Sequence, residues 1–247
     1  MPDLSQVTVV ILAGGLGTRL RKVVSNFPKV MAEINGKPFL YYLLDQLVEV
    51  GLERILISTG YLGHLIEEAI GFSYKGLLVD YSREKTPLGT AGALKLAGQA
   101  VGTKQCLVMN GDSYTEFNPS SLLMVHKQKN ANITLLIKAV ADISRFGTIQ
   151  MNGENEIVQF EEKRSRIGAG LINAGVYLIK TSVLEEIPDK MPCSLEHDFF
   201  PAMIGKNIYG YEIGGKFIDI GTPESYSEAD RFFEQRPVLE QELFHSH

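Results

Sequence analysis

The sequence LAGGLGTRLRKVVSNFPKVM, residues 12–31, combines a glycine-rich turn with basic residues that follow closely. It continues the apolar, β-branched run VTVVI at residues 7–11, which is typical of a buried strand. Gly14, Gly15 and Gly17 break this run and predict a turn whose backbone N–H groups can close around phosphate oxygens. In an open α/β sheet, ligands bind beside the loops that follow the strands. The stretch therefore predicts an α/β sheet with a phosphate-binding loop after its first strand.

Two basic residues in this stretch are placed to oppose phosphates. Arg19 carries a planar, permanently charged guanidinium, and Lys29 follows a proline that restricts its approach. Arg21 and Lys22 are expected only to solvate the surface. The motif GxGxxG would need glycine where Leu20 stands, and GxxxxGK[ST] is not present in the sequence. The pattern indicates a triphosphate-binding loop that differs from those of dehydrogenases and P-loop NTPases, with a plain tight turn as the alternative.

The remainder of the first half alternates between strands and helices. Apolar residues at helical spacing predict a helix within 37–52, and two further helices are predicted over 62–70 and around 91–100. The predicted strands between them are 55–60, 77–82 and 106–112. Such alternation predicts a parallel sheet with right-handed crossovers and helices on both faces.

After residue 132 the pattern changes to strands joined by short turns. The predicted strands are NITLLIKAV, GTIQM, EIVQF and INAGVYLI. We expect them to extend the same sheet as a lid-like second half, followed by a last helix after Pro223. No Pro-, Gly- or Ser-rich linker and no repeat divides the sequence, so we expect a single domain over residues 1–247.

Composition and charge argue against several classes of function. The 247 residues carry a net charge of −5 without a block of like charges, so we expect neither nucleic acid nor a membrane as partner. The N-terminus lacks a basic n-region and the apolar runs are too short to span a bilayer, so we expect a cytoplasmic protein. Cys106 and Cys193 lack the spacing of a disulfide framework or zinc site and are expected to be packing residues.

An ordered series of motifs resembles the sugar nucleotidylyltransferases, which join a nucleoside triphosphate to a sugar 1-phosphate and release pyrophosphate. LAGGLGTRL with PKVM comes first, and the other motifs are EKTPLGTAGAL at 84–94, NGDSY at 110–114, FEEK at 160–163, NAGVYL at 173–178 and FIDIGTPESY at 217–226. They cover nearly the whole chain. The resemblance implies a Rossmann-like three-layer α/β/α sandwich with a mixed, mostly parallel central sheet, and we expect no C-terminal β-helix domain.

The resemblance also implies a nucleotide-binding half, about residues 1–130. Its implied nucleotide-binding residues are Leu12, Ala13, Gly14, Gly15, Gly17, Thr18, Arg19, Glu84, Gly89, Thr90 and Gly111. Arg19 is expected to hold the β- and γ-phosphates and Lys29 the α-phosphate or the sugar phosphate. Glu84 resembles a residue that accepts a hydrogen bond from an amino group of the base. For Thr90, capping of the following helix is the alternative.

Two aspartates are the implied ligands of one Mg²⁺. Asp112 follows an apolar strand, Asp219 lies in the similar apolar stretch FIDIG, and magnesium prefers carboxylate and phosphate oxygens. An Asx-type turn is the alternative for Asp112. With Arg19, Lys29 and Lys163 they form the implied catalytic set. Because a sugar 1-phosphate is already ionised at pH 7, its transfer requires positioning and charge neutralisation and no dedicated base.

A sugar-phosphate-binding half is implied for about residues 131–247. Its implied binding residues are Gly147, Glu162, Lys163, Asn173, Glu196 and Asp198. The stretches INGKPFLYYLLDQL, SRFGTI and SLEHDFFP most resemble the short guanylyl-transferring members that use a heptose 1-phosphate. This favours GTP as the nucleotide and a precursor of bacterial surface polysaccharide as the product.

Two alternatives stay open from the sequence. One is a mannose-1-phosphate or glucose-1-phosphate nucleotidylyltransferase. The other is a nucleotide-sensing regulatory subunit without catalysis, although such proteins typically lack one of the signature basic or acidic residues. Aromatic surfaces near YYLL at 41–44 and beside FIDIG at 217–221 would allow a homodimer.

Overall fold

The computed structural model describes residues 3–15, 17, 20, 27–161 and 168–234. The strands of these ranges are β1 (Val7–Leu12), β2 (Glu33–Ile34), β3 (Lys37–Pro38), β4 (Arg54–Thr59), β5 (Ser73–Tyr74), β6 (Leu77–Arg83), β7 (Gln105–Asn110), β8 (Ser113–Thr115), β9 (Ile133–Val140), β10 (Thr148–Met151), β11 (Ile157–Glu161), β12 (Gly170–Lys180), β13 (Ile208–Glu212) and β14 (Phe217–Asp219). The α-helices are α1 (Phe39–Glu49), α2 (Gly63–Ile70), α3 (Gly89–Gly98), α4 (Pro119–Gln128), α5 (Phe200–Ala202) and α6 (Pro223–Glu234).

A ten-stranded mixed sheet forms the centre of the fold. Its strand order is β11-β10-β12-β7-β1-β4-β6-β5, and β9 pairs with both β12 and β13. Strands β7, β1, β4 and β6 run parallel, which confirms the parallel sheet predicted for the first half. Strand β12 is antiparallel to β7 and β9, and β10 is antiparallel to β11 and β12. The strands of the second half therefore extend the same sheet, as predicted.

The hydrophobic core lies on both faces of this sheet. Successive side chains of a strand point to opposite faces, so a buried strand needs cover on each side. In β1, Val9 and Ile11 pack with buried residues of α1, α2, α4 and α6. Val10 packs on the other face with residues of α3 and of segments 183–187 and 195–203. The result is the three-layer α/β/α arrangement expected from the sequence.

The predicted helices are present, with shifted starts. The first begins at Phe39 because Lys37 and Pro38 pair with β2, and the third begins at Gly89, two residues before the predicted start. The predicted last helix is α6, which begins at Pro223. The sequence does not predict helix α4 or the short strands β8 and β13, and β8 begins directly after Asp112 of the candidate site.

The apolar residues suggested as dimer surfaces lie mostly inside the chain. Tyr42, Leu43 and Leu44 of α1 are buried, as are Ile218 and Ile220. Because these side chains contribute to the core of one chain, they are not available to another chain, whereas Tyr41 and Phe217 of the same stretches are only partly buried. The homodimer stays a prediction.

Two other expectations concern cysteines and membranes. Cys106 and Cys193 are free thiols that are buried in the core on one face of the sheet, as predicted for packing residues. Within the described ranges, every helix is too short or too polar to cross a bilayer.

His126 on α4 is a buried titratable residue of the core. Its Nδ1 lies 2.8 Å from the hydroxyl of Thr134, while its buried Nε2 has no partner among the described residues. Burial lowers the pKa of His126 to about 4, and the positive charges of Lys180 and Lys127 act in the same direction. The protonated form of His126 is therefore strongly disfavoured in the folded protein.

Acid is expected to destabilise the protein through His126. The pKa is near 6.5 in the unfolded chain and lower in the folded one, so stability is lost as pH falls from about 6.5 towards 4. Because of His126, the free energy of unfolding should fall by about 2 kcal/mol between pH 7 and pH 5. Urea unfolding of His126→Gln at both pH values should show a smaller loss than wild type. The exposed-histidine control His64→Gln should keep the wild-type loss, and equal losses in all three proteins would contradict the prediction.

Candidate active site

The register of three parallel strands places the loops of the site side by side. Leu12 at the end of β1 pairs with Ser58 of β4 and with Asn110 of β7. Beyond the strands, the Ala13 N–H donates to the Ser58 carbonyl at 2.8 Å, and the Gly111 N–H donates to the Leu12 carbonyl at 2.9 Å. The loops after β1, β4 and β7 therefore meet at the carboxyl edge of the sheet, where ligands of such folds bind.

The glycine loop lies directly against Lys29. A Cβ added at Gly17 would lie 3.1 Å from the Cβ of Lys29, and the φ of Gly17 is +58°, a conformation that favours glycine. The Leu20 N–H donates to the Gly17 carbonyl at 3.0 Å and closes the turn. Close packing therefore brings the stem of Lys29 to the loop, as the predicted phosphate-binding role requires.

Four predicted site residues lie outside the described residues. Thr18 and Arg19 belong to the first loop, and Glu162 and Lys163 follow β11. Their roles stay predictions.

Strands β8 and β14 bring the two predicted metal ligands together. The strands pair antiparallel with Ser113 opposite Asp219, and Asp112 immediately precedes Ser113. The Ser113 hydroxyl lies 3.5 Å from Asp112 Oδ1 and 3.4 Å from Asp219 Oδ2. The Ile220 N–H donates to the Asp112 carbonyl at 3.0 Å and extends the pairing. Two carboxylates that are distant in sequence thus flank one hydroxyl.

Lys29 is the counter-charge of this aspartate pair. Its Nζ lies 2.7 Å from Asp112 Oδ2, and its side chain is only 11% exposed. Burial raises the pKa of Asp219, the charge of Asp112 raises it further, and the charge of Lys29 lowers it. The Gly221 N–H also donates to Asp219 Oδ1 at 2.8 Å. The pair is therefore an electronegative centre that further positive charge would stabilise.

The aspartate pair suits a hard divalent cation. Mg²⁺ usually binds one or two protein carboxylates and completes its shell with phosphate oxygens and waters. Among the described residues no cluster of three or more His, Cys, Asp or Glu could hold a metal. Asp112 and Asp219 would therefore supply two oxygen ligands and leave the other positions to phosphates and waters, which fits magnesium.

Glu84 reaches back to the first loop from the end of β6. A Cβ added at Gly14 or at Gly60 would clash with its Oε1, so both glycines make room for this carboxylate. The Leu88 N–H donates to Oε2 at 3.1 Å, and burial raises the pKa of Glu84. The structure thus places Glu84 beside the predicted nucleotide loop, with one oxygen held by the backbone.

The segment before α3 is joined to the second half of the chain. The Cys193 N–H donates to the Leu88 carbonyl at 2.8 Å, and the Leu195 N–H donates to the Thr90 hydroxyl at 2.8 Å. Helix α3 begins at Gly89, so Thr90 lies inside its first turn. The alternative of Thr90 as the helix cap is therefore wrong, because its hydroxyl accepts from another segment.

Asn173 and Glu196 are two predicted sugar-binding residues of the second half that form a hydrogen bond with each other. Strand β12 has an irregular register between Asn173 and Tyr177, which turns side chains away from the regular ladder. Asn173 Nδ2 donates to Glu196 Oε1 at 2.7 Å and to the Tyr177 hydroxyl at 2.8 Å. Although solvent reaches part of Glu196, the surrounding protein raises its pKa, as do the charges of Asp112 and Asp219. Glu196 is therefore within electrostatic reach of both aspartates.

Two other predicted sugar contacts have local structural roles. Asp198 Oδ2 accepts from the Ser194 N–H at 2.6 Å and closes its own helical turn. Gly147 directly precedes β10, and a Cβ added there would lie 3.0 Å from the Glu161 carbonyl. Neither observation tests a contact with sugar, so both roles stay predictions.

Arg145 is a candidate site residue that sequence reasoning missed. Its side chain is half-buried, and its Nη2 donates to the Thr222 hydroxyl at 3.3 Å. Its charge lowers the pKa of Asp219. The available signal was its place two residues before Gly147, but an arginine in a polar loop is usually exposed and solvated.

Comparison with known proteins identifies the family to which these features correspond. A sequence profile of the nucleotidyl transferase family matches residues 8–236. D-glycero-alpha-D-manno-heptose 1-phosphate guanylyltransferase of Aneurinibacillus thermoaerophilus is 36% identical over 223 residues, which are 90% of this chain and 96% of that protein. Mannose-1-phosphate guanylyltransferase of Mycobacterium tuberculosis is 34% identical over 225 residues, 90% of this chain but only 63% of that protein.

A solved structure supports the same assignment. The crystal structure of HddC from Yersinia pseudotuberculosis matches with a TM-score of 0.82 and 34% identity, over 92% of this chain and 99% of that one. The same protein complexed with GMP-PN matches with a TM-score of 0.81. These likenesses confirm the expected Rossmann-like fold with a mixed central sheet.

Proposed function

Since the chain belongs to the nucleotidyl transferase family, we propose that it transfers a guanylyl group from GTP to D-glycero-α-D-manno-heptose 1-phosphate and releases pyrophosphate. The observation that carries this proposal is the pairing of Asp112 and Asp219 beside Lys29, at the sheet edge where the nucleotide loop lies. The choice of substrates is supported by a relative that the chain matches over 96% of its length and that bears this activity in its name.

The proposed reaction is an in-line displacement at the α-phosphorus of GTP. A phosphate oxygen of the sugar 1-phosphate forms a bond to this phosphorus, and the bond to the β-phosphate oxygen breaks with its electron pair on pyrophosphate. The products are GDP-heptose and pyrophosphate. Because the second pKa of a phosphate monoester is about 6, the attacking oxygen is already ionised at pH 7. The protein therefore has to align two polyanions and neutralise their charge.

The described residues have separate tasks in this reaction. Lys29, whose stem packs beside Gly17 and whose Nζ pairs with Asp112, is assigned the α-phosphate or the sugar phosphate. Asp112 and Asp219 would hold Mg²⁺, which, when bound, supplies positive charge to the reacting phosphates. Arg19 and Lys163 are assigned the pyrophosphate and the sugar phosphate through the family resemblance. The convergence of Lys29, Asp112 and Asp219 supports an enzyme over a regulatory subunit that has lost catalysis.

Glu84 is proposed to recognise guanine. The Watson–Crick edge of guanine presents two donors, N1–H and N2–H, and an ionised carboxylate is an acceptor only. Adenine presents its N1 acceptor at that edge, which a carboxylate would repel. Because Oε2 of Glu84 already accepts from the Leu88 N–H, we assign the contact with guanine to Oε1, which lies beside Gly14 of the first loop and Gly60.

Replacement of Glu84 by glutamine is expected to weaken the preference for guanine. Inosine triphosphate lacks the 2-amino group of guanine and therefore cannot donate that hydrogen bond to Glu84. Because a hydrogen bond to a charged group is strong, the kcat/KM of wild type should be about 10- to 100-fold higher with GTP than with inosine triphosphate. In Glu84→Gln this ratio should fall severalfold. Glu67→Gln, which removes a surface carboxylate that pairs with Arg83, is the control. An unchanged ratio in Glu84→Gln would assign the selection of the 2-amino group to another residue.

A mannose-1-phosphate guanylyltransferase is the second candidate, because the relative with that name is nearly as similar, at 34% identity. Pyrophosphate release should be measured with Mg²⁺ for GTP, CTP, UTP and ATP, each against the 1-phosphates of the heptose, mannose, glucose and N-acetylglucosamine. Release confined to GTP with the heptose is the expected result. Release with GTP and mannose 1-phosphate would replace the sugar, and no release with any pair would contradict the proposal.

The proposal includes the identity of the cofactor, the compartment and the assembly. We expect Mg²⁺ as the cation and action in the cytoplasm on free nucleotide and sugar phosphate, and a homodimer is open as the assembly. Light scattering at defined protein concentrations tests the dimer, and a monomeric mass throughout would remove it.

A further inference from the structure

A short turn holds Arg145 at the rim of the candidate site. The ring of Phe146, the next residue, packs edge-to-face against Phe217, with centroids 5.9 Å apart and an interplanar angle of 63°. Phe217 begins β14, and Asp219 ends it. The turn is therefore fixed against the strand that carries the second predicted metal ligand.

One nitrogen of the Arg145 guanidinium forms a hydrogen bond with a neutral group. Its Nη2 donates to the Thr222 hydroxyl at 3.3 Å, a long hydrogen bond, and the same hydroxyl accepts from the Ser225 N–H at 3.3 Å at the start of α6. An arginine has five N–H donors and a permanent charge. Arg145 therefore has the capacity for a bidentate contact with an anion next to Asp219.

Binding of an anion in this acidic site requires a cation such as Arg145. Asp112, Asp219 and Glu196 place three carboxyl groups within electrostatic reach of one another, and Lys29 is bound to Asp112. A phosphate monoester adds about 1.5 to 2 negative charges at pH 7. Binding it beside these groups requires further positive charge, and a planar guanidinium suits two phosphate oxygens.

We propose that Arg145 binds the phosphate group of the sugar 1-phosphate directly, and this inference rests on the proposed function. The guanidinium would exchange its long bond to Thr222 for two charge-assisted bonds to phosphate oxygens. It lies two residues before Gly147, the predicted backbone contact of the sugar, so one turn would hold both ends of the substrate.

Arg145→Gln should raise the KM for the sugar 1-phosphate by about 10- to 100-fold and leave the KM for GTP within about twofold. Arg145→Lys, which keeps the charge without the fork, should recover part of the loss. Arg54→Gln removes an exposed arginine that pairs with Asp80 and should leave both KM values unchanged. The melting temperature of each variant establishes that it is folded.

A variant without the Thr222 hydroxyl tests whether Arg145 contacts the phosphate directly or only supports the turn in which it lies. Thr222→Val takes away the group to which Arg145 donates and should leave the KM for the sugar phosphate near its wild-type value. If Thr222→Val reproduced the effect of Arg145→Gln, or if Arg145→Gln changed both KM values equally, the inference would be overturned.

Calorimetry with the heptose 1-phosphate separates this inference from the proposed function. If wild type turns over the heptose and Arg145→Gln binds it with unchanged affinity, the inference falls and the proposed function stands. If wild type lacks turnover but Arg145→Gln binds the sugar phosphate at least 10-fold more weakly, the inference stands and the proposed function falls.

Discussion

Replacement of Asp112 by asparagine is expected to lower kcat by about a thousandfold while the protein stays folded. Asparagine keeps the size of the side chain but removes the charge that, with Asp219, would hold the divalent cation. It also removes the ion pair with Lys29, whose Nζ lies 2.7 Å from the carboxylate. Pyrophosphate release measures kcat, and the rise in melting temperature on addition of Mn²⁺ or Mg²⁺, which should disappear, measures metal binding independently.

Asp80→Asn is the matched control for this variant. Asp80 also forms an ion pair, with Arg54, but both side chains are largely exposed. Surface ion pairs contribute little to stability, so this variant should keep wild-type kcat and metal response. Wild-type turnover by Asp112→Asn would remove Asp112 from the catalytic site.

Replacement of Lys29 by methionine is expected to lower kcat/KM by about 100- to 1,000-fold. Methionine preserves the apolar stem that packs against Gly17 but leaves no charge to oppose the phosphates. It also removes the ammonium that pairs with Asp112. Both losses fall on the transition state, in which two polyanions meet, so kcat should fall together with kcat/KM.

Lys75→Met provides the comparison for Lys29→Met. Lys75 pairs with Asp45 on the surface, and its side chain is 60% exposed, so its loss should not alter turnover. A loss of similar size in both variants would mean that net charge, not the position of Lys29, affects the rate.

Much of the first half of the fold could be predicted from the sequence because local patterns determine it. Runs such as residues 7–13 and 106–109 are largely apolar and are bounded by glycine or polar residues, and they contribute to the adjacent strands β1 and β7. The ends of helices were less certain. Pro38 falls within the range predicted for the first helix, but it precedes the helix because its strand pairing with Glu33 holds it outside.

The geometry of the candidate site could be predicted only in part. Asp112 and Asp219 were paired through family resemblance, since three-residue strands such as β8 and β14 are too short to give a periodic signal. Two hydrogen bonds of the site join distant parts of the chain. The Leu195 N–H donates to the Thr90 hydroxyl, and Arg145 donates to the Thr222 hydroxyl. No local pattern in the sequence contains them.

The pairing of β8 with β14 has a consequence for biosynthesis. Ser113 and Asp219 are 106 positions apart, so the glycine loop and the first aspartate leave the ribosome long before the second aspartate. At about 5 to 20 residues per second, the nascent chain carries Asp112 without its partner aspartate for roughly 5 to 20 seconds. Chains that terminate before residue 219 would contain the glycine loop and Asp112 but lack Asp219, so they could not form the acidic pair.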